Sequence, residues 1–353
     1  MMENLDSNSE QKRNGDIKLK YQIDDLVKMM GYIRPAFSHG EEEFIAKYID
    51  KVPGMRKDTF GNRYISIGNH DTMFTAHTDT VHRWSKGTRQ KVYVKGGFAY
   101  TSGQDVLGAD DTVGCFILLN MIYAGVPGLY FFFRDEEHGG NGSRYVANNK
   151  VPKNIKKVVS FDRKGYTDVI THQGWTQTAS DEFAKALARA LGRGYKPSDK
   201  GTFTDSANFE GIVPECTNLS IGYKDAHTIR EMQDLRFASW LSQKAIQLNW
   251  KKLPVKRNPF ADNYVGWWGK QNKPIKKKSS YGKVLRVSKP QQTRETDRVD
   301  WMPEPLWPKS TTRKDSKPEP YTPELVSFNP KNNIKYKKPK RKTLDYSSEW
   351  WLW

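Results

Sequence analysis

The sequence predicts an α/β fold with a mixed, mostly parallel sheet flanked by helices, followed by a disordered, basic C-terminal tail. Three observations predict it. Up to about residue 250, short apolar runs alternate with amphipathic helical segments, the pattern of repeated strand–helix units. One run, Leu129–Phe133, is apolar without alternation, as expected of a strand covered on both faces. Composition then changes sharply: residues 251–353 carry 25 Lys+Arg against 10 Asp+Glu and hold 12 of the 18 prolines, with almost no periodic apolar pattern. Such a segment cannot bury a core.

The elements follow in order. Residues 1–17 are polar and expected to be disordered. A helix near Gln22–Ile33 carries Leu26, Met29, Met30 and Ile33 on one side. A second begins after Ser38, whose S-x-x-E spacing to Glu41 is a capping box, and it buries Phe44, Ile45, Tyr48 and Ile49. Tyr64–Ile67 and Met73–Ala76 read as neighbouring strands. Val113 to Ile122 has helical spacing, Val169–Thr171 reads as a strand and Asp181–Leu191 as a helix. A last helix ends around Trp250, which places the boundary near Leu253-Pro254. The organisation expected is thus a domain over 18–253 and a tail over 254–353, with no internal repeat.

Charge and cysteine usage narrow the class. Outside the tail the chain carries 33 Lys+Arg against 30 Asp+Glu, so the net charge of +18 belongs mostly to the tail. Cys115 and Cys216 both sit in apolar surroundings without metal-type spacing, and read as buried free thiols. The N-terminus lacks an apolar signal-peptide core and no run reaches 18 apolar residues. A cytoplasmic protein with no membrane partner is the expectation.

Chemistry concentrates in five segments: AHTDTV (76–81), LGADDTVG (107–114), DEEHGG (135–140), SFDRKG (160–165) and DAHTIRE (225–231). They supply His77, Asp110, Glu137, Asp162 and His227. Neutral imidazole and carboxylate suit zinc, cobalt or manganese, and the lack of thiolates argues against a structural zinc cluster. Two divalent cations roughly 3.5–4 Å apart need a shared anionic bridge. Asp110, after a Gly-Ala pair and before an apolar helix, is the natural bridge. One cation then takes His77 and Asp162, and the other Glu137 and His227. In open α/β sheets such groups gather at the carboxyl ends of strands.

Two further residues join the set. Asp79 lies two positions after His77, on the same face of an extended segment, where its carboxylate can accept the free ring N–H and fix the tautomer. Glu136 directly precedes Glu137. With two divalent charges lowering the pKa of a bound water, Glu136 takes its proton and passes it to the leaving amine. Each motif alone has a bland explanation: a chance HxD, a solvated acidic turn, or an Asp-Asp helix cap. Five segments in order, each beside a predicted strand, favour chemistry.

The order HTD, GADD, DEE, Asp, His…Glu resembles the co-catalytic zinc exopeptidases, the clan of aminopeptidases, tripeptidases and glutamate carboxypeptidases. The resemblance spans about residues 22–250. TDSANFEGIVPECTNLSIGYKDAHTIRE (204–231) is similar to the stretch that ends in that clan's final metal-binding His. The resemblance implies the three-layer, phosphorylase/hydrolase-like fold, two divalent metal ions (zinc first, with cobalt or manganese as alternatives), the first Glu of DEE as base and the second as ligand. One branch of the clan inserts a dimerisation domain of roughly a hundred residues between the fourth and fifth ligands. Here Asp162 and His227 leave no room for it. That favours the compact aminopeptidase branch.

The substrate is then a peptide or an amino-acid derivative. An aminopeptidase must hold a free ammonium, for which Asp111, Asp205 and Glu231 are candidates. A carboxypeptidase or N-acyl amino acid deacylase needs a cation for the substrate carboxylate, for which Arg163, Lys164 and Arg230 are candidates. His138 and His172 are the other histidines expected nearest the cleft. In the tail, Lys276–Lys278 and Lys337–Lys342 with interleaved tyrosine and tryptophan can neutralise phosphates and stack on bases, and SSEWWLW can dock on a partner. A retired peptidase acting as a nucleic-acid or protein-binding scaffold is therefore the second class. The intact set of five ligands, Glu136 and Asp79 favours the active hydrolase.

Overall fold

The structure is a computed structural model that describes residues 18–83, 87–149 and 151–259. The disorder expected of 1–17, and the tail's lysine clusters and terminal tryptophans, lie outside the described residues.

In chain order the strands are β1 (Arg56–Lys57), β2 (Arg63–Ile67), β3 (Thr72–His77), β4 (Tyr93–Lys95), β5 (Phe98–Tyr100), β6 (Gly128–Phe133) and β7 (Lys157–Arg163). They continue with β8 (Asp168–Ile170), β9 (His172–Gln173), β10 (Thr176–Gln177), β11 (Lys196–Ser198), β12 (Glu215–Ser220), β13 (Tyr223–Lys224) and β14 (Met232–Asp234). The helices are α1 (Ile23–Met29), α2 (His39–Phe44), α3 (Ala109–Tyr123), α4 (Asn141–Asn149), α5 (Asp181–Leu191) and α6 (Leu235–Gln247).

The main sheet runs β1-β2-β6-β3-β7-β12-β8-β11. Its centre is parallel, β6 with β3, β3 with β7 and β7 with β12, while β1, β2 and the β12–β8 contact are antiparallel. Alternation along the central strands splits the core into two layers. Phe74, Tyr130, Phe132, Val159 and Phe161 face α1, α2, α3, α5 and α6. Met73, Leu129, Phe131, Phe133 and Val158 face α4 and the 3-10 turn at Asp205–Phe209. This is the expected three-layer arrangement, with β6 buried at every position.

Three expectations need correction. β2 and β3 are not neighbours, because β6 lies between them, antiparallel to β2 and parallel to β3. The fully apolar β6 needs cover on both faces, whereas β2 keeps positions partly exposed and suits a place nearer the edge. The first helix ends at Met29 rather than Ile33, ahead of Gly31, a residue that weakens helices. The capping box forms by half: Ser38 Oγ accepts the Glu41 N–H at 3.2 Å, but the Glu41 carboxylate turns inward and takes the Phe37 N–H at 2.6 Å instead.

At the other end, the chain stays docked past the boundary drawn at 253. The N–H groups of Lys256 and Arg257 donate to Glu215 Oε1 at 2.6 and 3.0 Å, and Arg257 Nε donates to the Pro214 carbonyl at 2.6 Å.

α3 is apolar on nearly every face and lies buried from Asp111 to Ile122. It presses so closely on β7 that a Cβ on Gly114 would stand 2.3 Å from the Phe161 carbonyl oxygen and 2.4 Å from the Asp111 carboxylate. Overpacking of this kind costs about 1–3 kcal/mol. Gly114→Ala is expected to lower the urea midpoint by a corresponding amount; an unchanged midpoint would show that the helix can shift freely.

Candidate metal centre

Every element of the site ends at one edge of the sheet. His77 is the last residue of β3, Asp162 is the penultimate residue of β7, and Glu136 and Glu137 follow β6. Asp110 and Asp111 open α3 with non-helical angles (φ −77°, ψ 102° and φ −120°, ψ 46°), so the regular helix starts only after them. His227 lies in a turn where it and Asp225 both hold positive φ (64° and 53°).

The five residues expected as ligands converge. His77 Nε2 is 3.2 Å from Asp110 Oδ1 and 3.6 Å from Asp162 Oδ1. His227 Nε2 is 3.2 Å from the other Asp110 oxygen and 3.2 Å from Glu137 Oε2. His77, Asp110 and Asp162 form one three-donor group, and Asp110, Glu137 and His227 another, each with its ligand atoms within 4.8 Å of one another. Asp110 is common to both. Glu136 Oε2 is 4.0 Å from His77 Nε2.

Electrostatics says what this cluster lacks. Burial, reinforced by the charges of Asp162, Asp205 and Glu137, pushes Glu136 well above the usual carboxylate range. Burial and the Asp110 charge lift Asp162 to about 7, and the same two causes lift Glu231 to about 7. Burial and the nearby Asp162 and Asp79 charges lift Asp205 to about 7. Burial alone would lower His77, but hydrogen bonds to Asp110, Asp162 and Asp79 raise it well above its ordinary value. His227 rises to about 10 through its hydrogen bonds to Asp110 and Glu137. In this arrangement the positive charge facing the carboxylates comes from His77 and His227. Divalent cations would fill that role, and the buried, unpartnered Glu137 Oε1 leaves an acceptor for one. Two imidazoles and three carboxylates are a donor set that fits them.

Around this centre the expected roles shift. Asp79 does not chiefly hold the His77 ring. His77 Nδ1 lies 3.0 Å from the Asp79 backbone carbonyl and 3.6 Å from its carboxylate. The carboxylate instead accepts the N–H groups of Glu136 and Glu137, both at 3.1 Å. Asp111 is buried, accepting the N–H of His77 at 3.1 Å and of Gly114 at 2.9 Å, and does not line the cleft. Glu231 is likewise spent on the N–H groups of Leu107, Gly108 and Asp110. Asp205 is buried behind the base with Oδ1 unpartnered. Arg230 is exposed and away from the cleft lining.

The cleft, about 210 Å³, is lined by Asp110, Glu136, Glu137, Asp162 and His227 together with Arg163, Lys164, Phe203, Asn218 and Tyr223. Arg163 is anchored by Asp168 Oδ2 at 3.3 Å and the Lys200 carbonyl at 2.7 Å. His138 is exposed and paired with Asp135 at 2.7 Å, and His172 bonds Thr171 at 3.0 Å; neither lines the cleft.

Three groups that hold Asp162 were not singled out in the sequence. Asn218 Oδ1 accepts its N–H at 3.0 Å, the Tyr223 hydroxyl donates to its carbonyl at 2.9 Å, and the Thr204 hydroxyl donates to its carboxylate at 2.5 Å. All lie in or beside the stretch 204–231. Asn218, a polar residue in a wholly buried strand, was the available signal.

The comparisons agree with this architecture. Residues 63–212 match the model of Peptidase family M28. The aminopeptidase PepT of Bacillus cereus superposes with a TM-score of 0.52 at 15% identity, covering 66% of this chain and 98% of its own. A tripeptidase of Staphylococcus aureus gives 0.53 at 14% identity, with 66% and 98% covered. The TET1 peptidase of Pyrococcus horikoshii, which can assemble into a tetrahedron or a large octahedral shell, gives 0.50 at 16% identity, with 64% and 98% covered. No curated protein sequence matches. The structural likenesses, at such low identity, establish the fold.

Residues 63–212 are thus similar to Peptidase family M28, and the resemblance to the co-catalytic zinc exopeptidases stands. That match supports a metallopeptidase hydrolase, a class that uses divalent metal ions. No described helix is long and apolar enough to cross a membrane.

Removal of metal should reverse the ordinary pH dependence of stability. A carboxyl raised from ~4 to about 7 on folding takes up protons, so its contribution falls as pH rises through that window. His227, raised from ~6.5 to about 10, contributes stability at low pH that is lost as pH rises. Chelator-treated protein is expected to melt at a lower temperature at pH 8 than at pH 5. Added divalent cation should raise the melting temperature more at pH 8, where protons no longer compete. A metal-free melting temperature that is flat or rising over this range would contradict the electrostatic account.

Proposed function

We propose that the protein is an aminopeptidase that takes two divalent cations, zinc first among them. His77, Asp110 and Asp162 would hold one, and Asp110, Glu137 and His227 the other. The observation that carries the reading is the division of Asp110, whose two oxygens stand 3.2 Å from different histidines. Cations bound there supply Lewis acidity for the scissile carbonyl and acidify a water.

The chain's own residues do the rest. Glu136 takes the proton of the attacking water and returns it to the leaving amine, a role that suits a carboxyl raised by burial among other acids. Asp79 sets where that carboxylate stands by accepting the backbone N–H groups on both sides of the Glu136 Cα. Asn218, Tyr223 and Thr204 hold Asp162 from behind, which limits the positions its carboxylate can take.

The exopeptidase end is argued from two features. The interval between Asp162 and His227 builds β8–β13 and α5, with no inserted domain to cover the cleft. Glu136, the cleft carboxylate left off both cations, offers a counter-charge for a substrate ammonium. A carboxypeptidase or N-acyl amino acid deacylase is the second reading, favoured by Arg163 and Lys164 on the cleft wall.

The deciding experiment is hydrolysis by zinc- or cobalt-loaded protein of amino-acid amides, N-acylated amino acids and peptides blocked at either end. Turnover that requires a free N-terminus is expected, with a loss of about 10³ in kcat for Glu136→Gln and metal content unchanged. Preference for N-acylated or free-carboxylate substrates would move the assignment to the second reading. Protein that holds two metals and turns over nothing would overturn both. A chain ending at Pro259 is expected to keep the full activity. If it does not, the tail is part of the working protein, and binding of single-stranded nucleic acid by the full chain becomes the measurement to make.

A further inference from the structure

Glu41 belongs to no ligand group, yet it is wholly buried behind the site. Its Oε1 accepts the Thr78 hydroxyl at 2.5 Å. Its Oε2 accepts Arg134 Nη2 at 2.5 Å, Arg134 Nε at 3.2 Å and the Phe37 N–H at 2.6 Å. Thr78 separates His77 from Asp79, and Arg134 stands two residues ahead of Glu136. One carboxylate therefore grips both strand extensions that carry the metal and base residues.

The grip falls where the sheet gives out. The last β3–β6 register pair is His77 with Phe133, followed by a single Thr78 N–H to Phe133 carbonyl bond at 2.8 Å. Beyond that point the extensions are joined by side chains. Asp79 ties its own segment to Glu136 and Glu137, and Glu41 ties Thr78 to Arg134. Glu41 comes from α2, outside the matched residues 63–212, so the N-terminal segment supplies this tie.

We infer that Glu41 is a positioning residue that sets the separation between His77 and the Glu136–Glu137 pair. The inference rests on the metallopeptidase reading of the site. The competing explanation is a structural ion pair that fastens α2 to the sheet. Arg134 has a second carboxylate, however, in Glu42 Oε1 at 2.6 Å, so its charge does not depend on Glu41 alone. What Glu41 uniquely provides is acceptor capacity for four donors at once. Glutamine keeps the shape but has one acceptor oxygen and no charge; its NH₂ could face only the Thr78 hydroxyl, which would turn its own proton to the Phe133 carbonyl 3.1 Å away. The charge-assisted hold on the two strand extensions would then become a weaker, neutral one.

The test uses Glu41→Gln and Thr78→Val in the full chain, each loaded with Co²⁺. Thr78→Val leaves the Glu41–Arg134 pair intact, so the idea stays testable if Glu41→Gln does not fold. The readouts are the visible absorption spectrum of bound Co²⁺, its affinity in competition with a chelator, and kcat and KM on the preferred peptide. Both variants are expected to show an altered Co²⁺ spectrum and a 10–100-fold weaker affinity, the usual effect of losing a partner that orients ligands. They should also lose at least about tenfold in kcat with KM within about twofold, and the double variant should be no worse than the poorer single one. Native spectrum, affinity and kcat with only a lowered melting temperature would reduce Glu41 to a structural tie and overturn the inference. If wild-type protein binds Co²⁺ but hydrolyses no peptide, the peptidase reading fails, while the spectra and affinities still decide the role of Glu41.

Discussion

The constraint on which the rest depends is the crowding of carboxylates at one edge of a parallel sheet. Asp110, Glu136, Glu137 and Asp162 share a single cleft, with Asp205 and Glu231 buried just behind it. Ionised together and without partners they would cost far more than a domain's net stability can absorb. Two outcomes follow from the physics. Glu136, Glu137, Asp162, Asp205 and Glu231 are all pushed toward the protonated form, while the two histidines hold Asp110 below the usual carboxylate range; the alternative is positive charge from outside. Only the second would leave Glu136 free to act as the proposed base.

Holding such groups close requires a rigid frame, and buried carboxylates behind the cleft provide it by binding backbone. Asp111 takes the N–H of His77 and of Gly114, and so joins β3 to the first turn of α3. Asp79 joins β3 to the turn after β6. Glu231 gathers three backbone donors, the N–H groups of Leu107, Gly108 and Asp110, from the loop that presents Asp110. In each case a loop that no ladder restrains is fixed by charge-assisted bonds in a dry setting, where such bonds are strong. Two of the three acids that sequence reading could assign to substrate on grounds of charge, Asp111 and Glu231, are thereby used up as framework.

The same distinction explains what was legible in the sequence. The convergence of the five candidate ligands was readable because each sits in a short local pattern beside an apolar run, and strand ends in an α/β sheet converge. The helix Asp181–Leu191 matched its observed limits because Ser180 caps it and its apolar spacing is regular. The order of β2, β6 and β3 was not readable, since pairing of distant segments leaves no local mark. Nor was the partner of any buried acid. Nothing in the residues around Glu41 distinguishes a carboxylate that closes a capping box from one that turns into the core toward Arg134, 93 residues on. The spacing of Asp79 from His77 was compatible with a ring contact, and only the fold shows that two backbone N–H groups lie nearer.

The two halves of the centre are unequal, and the inequality has a physical meaning. The His77 side chain is 1% exposed, whereas that of His227 is 51% exposed on a positive-φ turn. Around His77 and Asp162 the low local dielectric makes each charge interaction strong and each displacement costly, and the tight bonding of Asp162 to Asn218, Tyr223 and Thr204 matches that demand. On the His227 side, water screens the charges and the turn carries few tertiary ties beyond Asp110 and Glu137. Solvent therefore reaches the His227 half first, with Phe203 and Lys164 on the same cleft wall. Glu136, the proposed base, stands next to the buried half. In the proposed reaction the rigid part of the frame would lie where the proton is transferred, and the open turn where a peptide would enter.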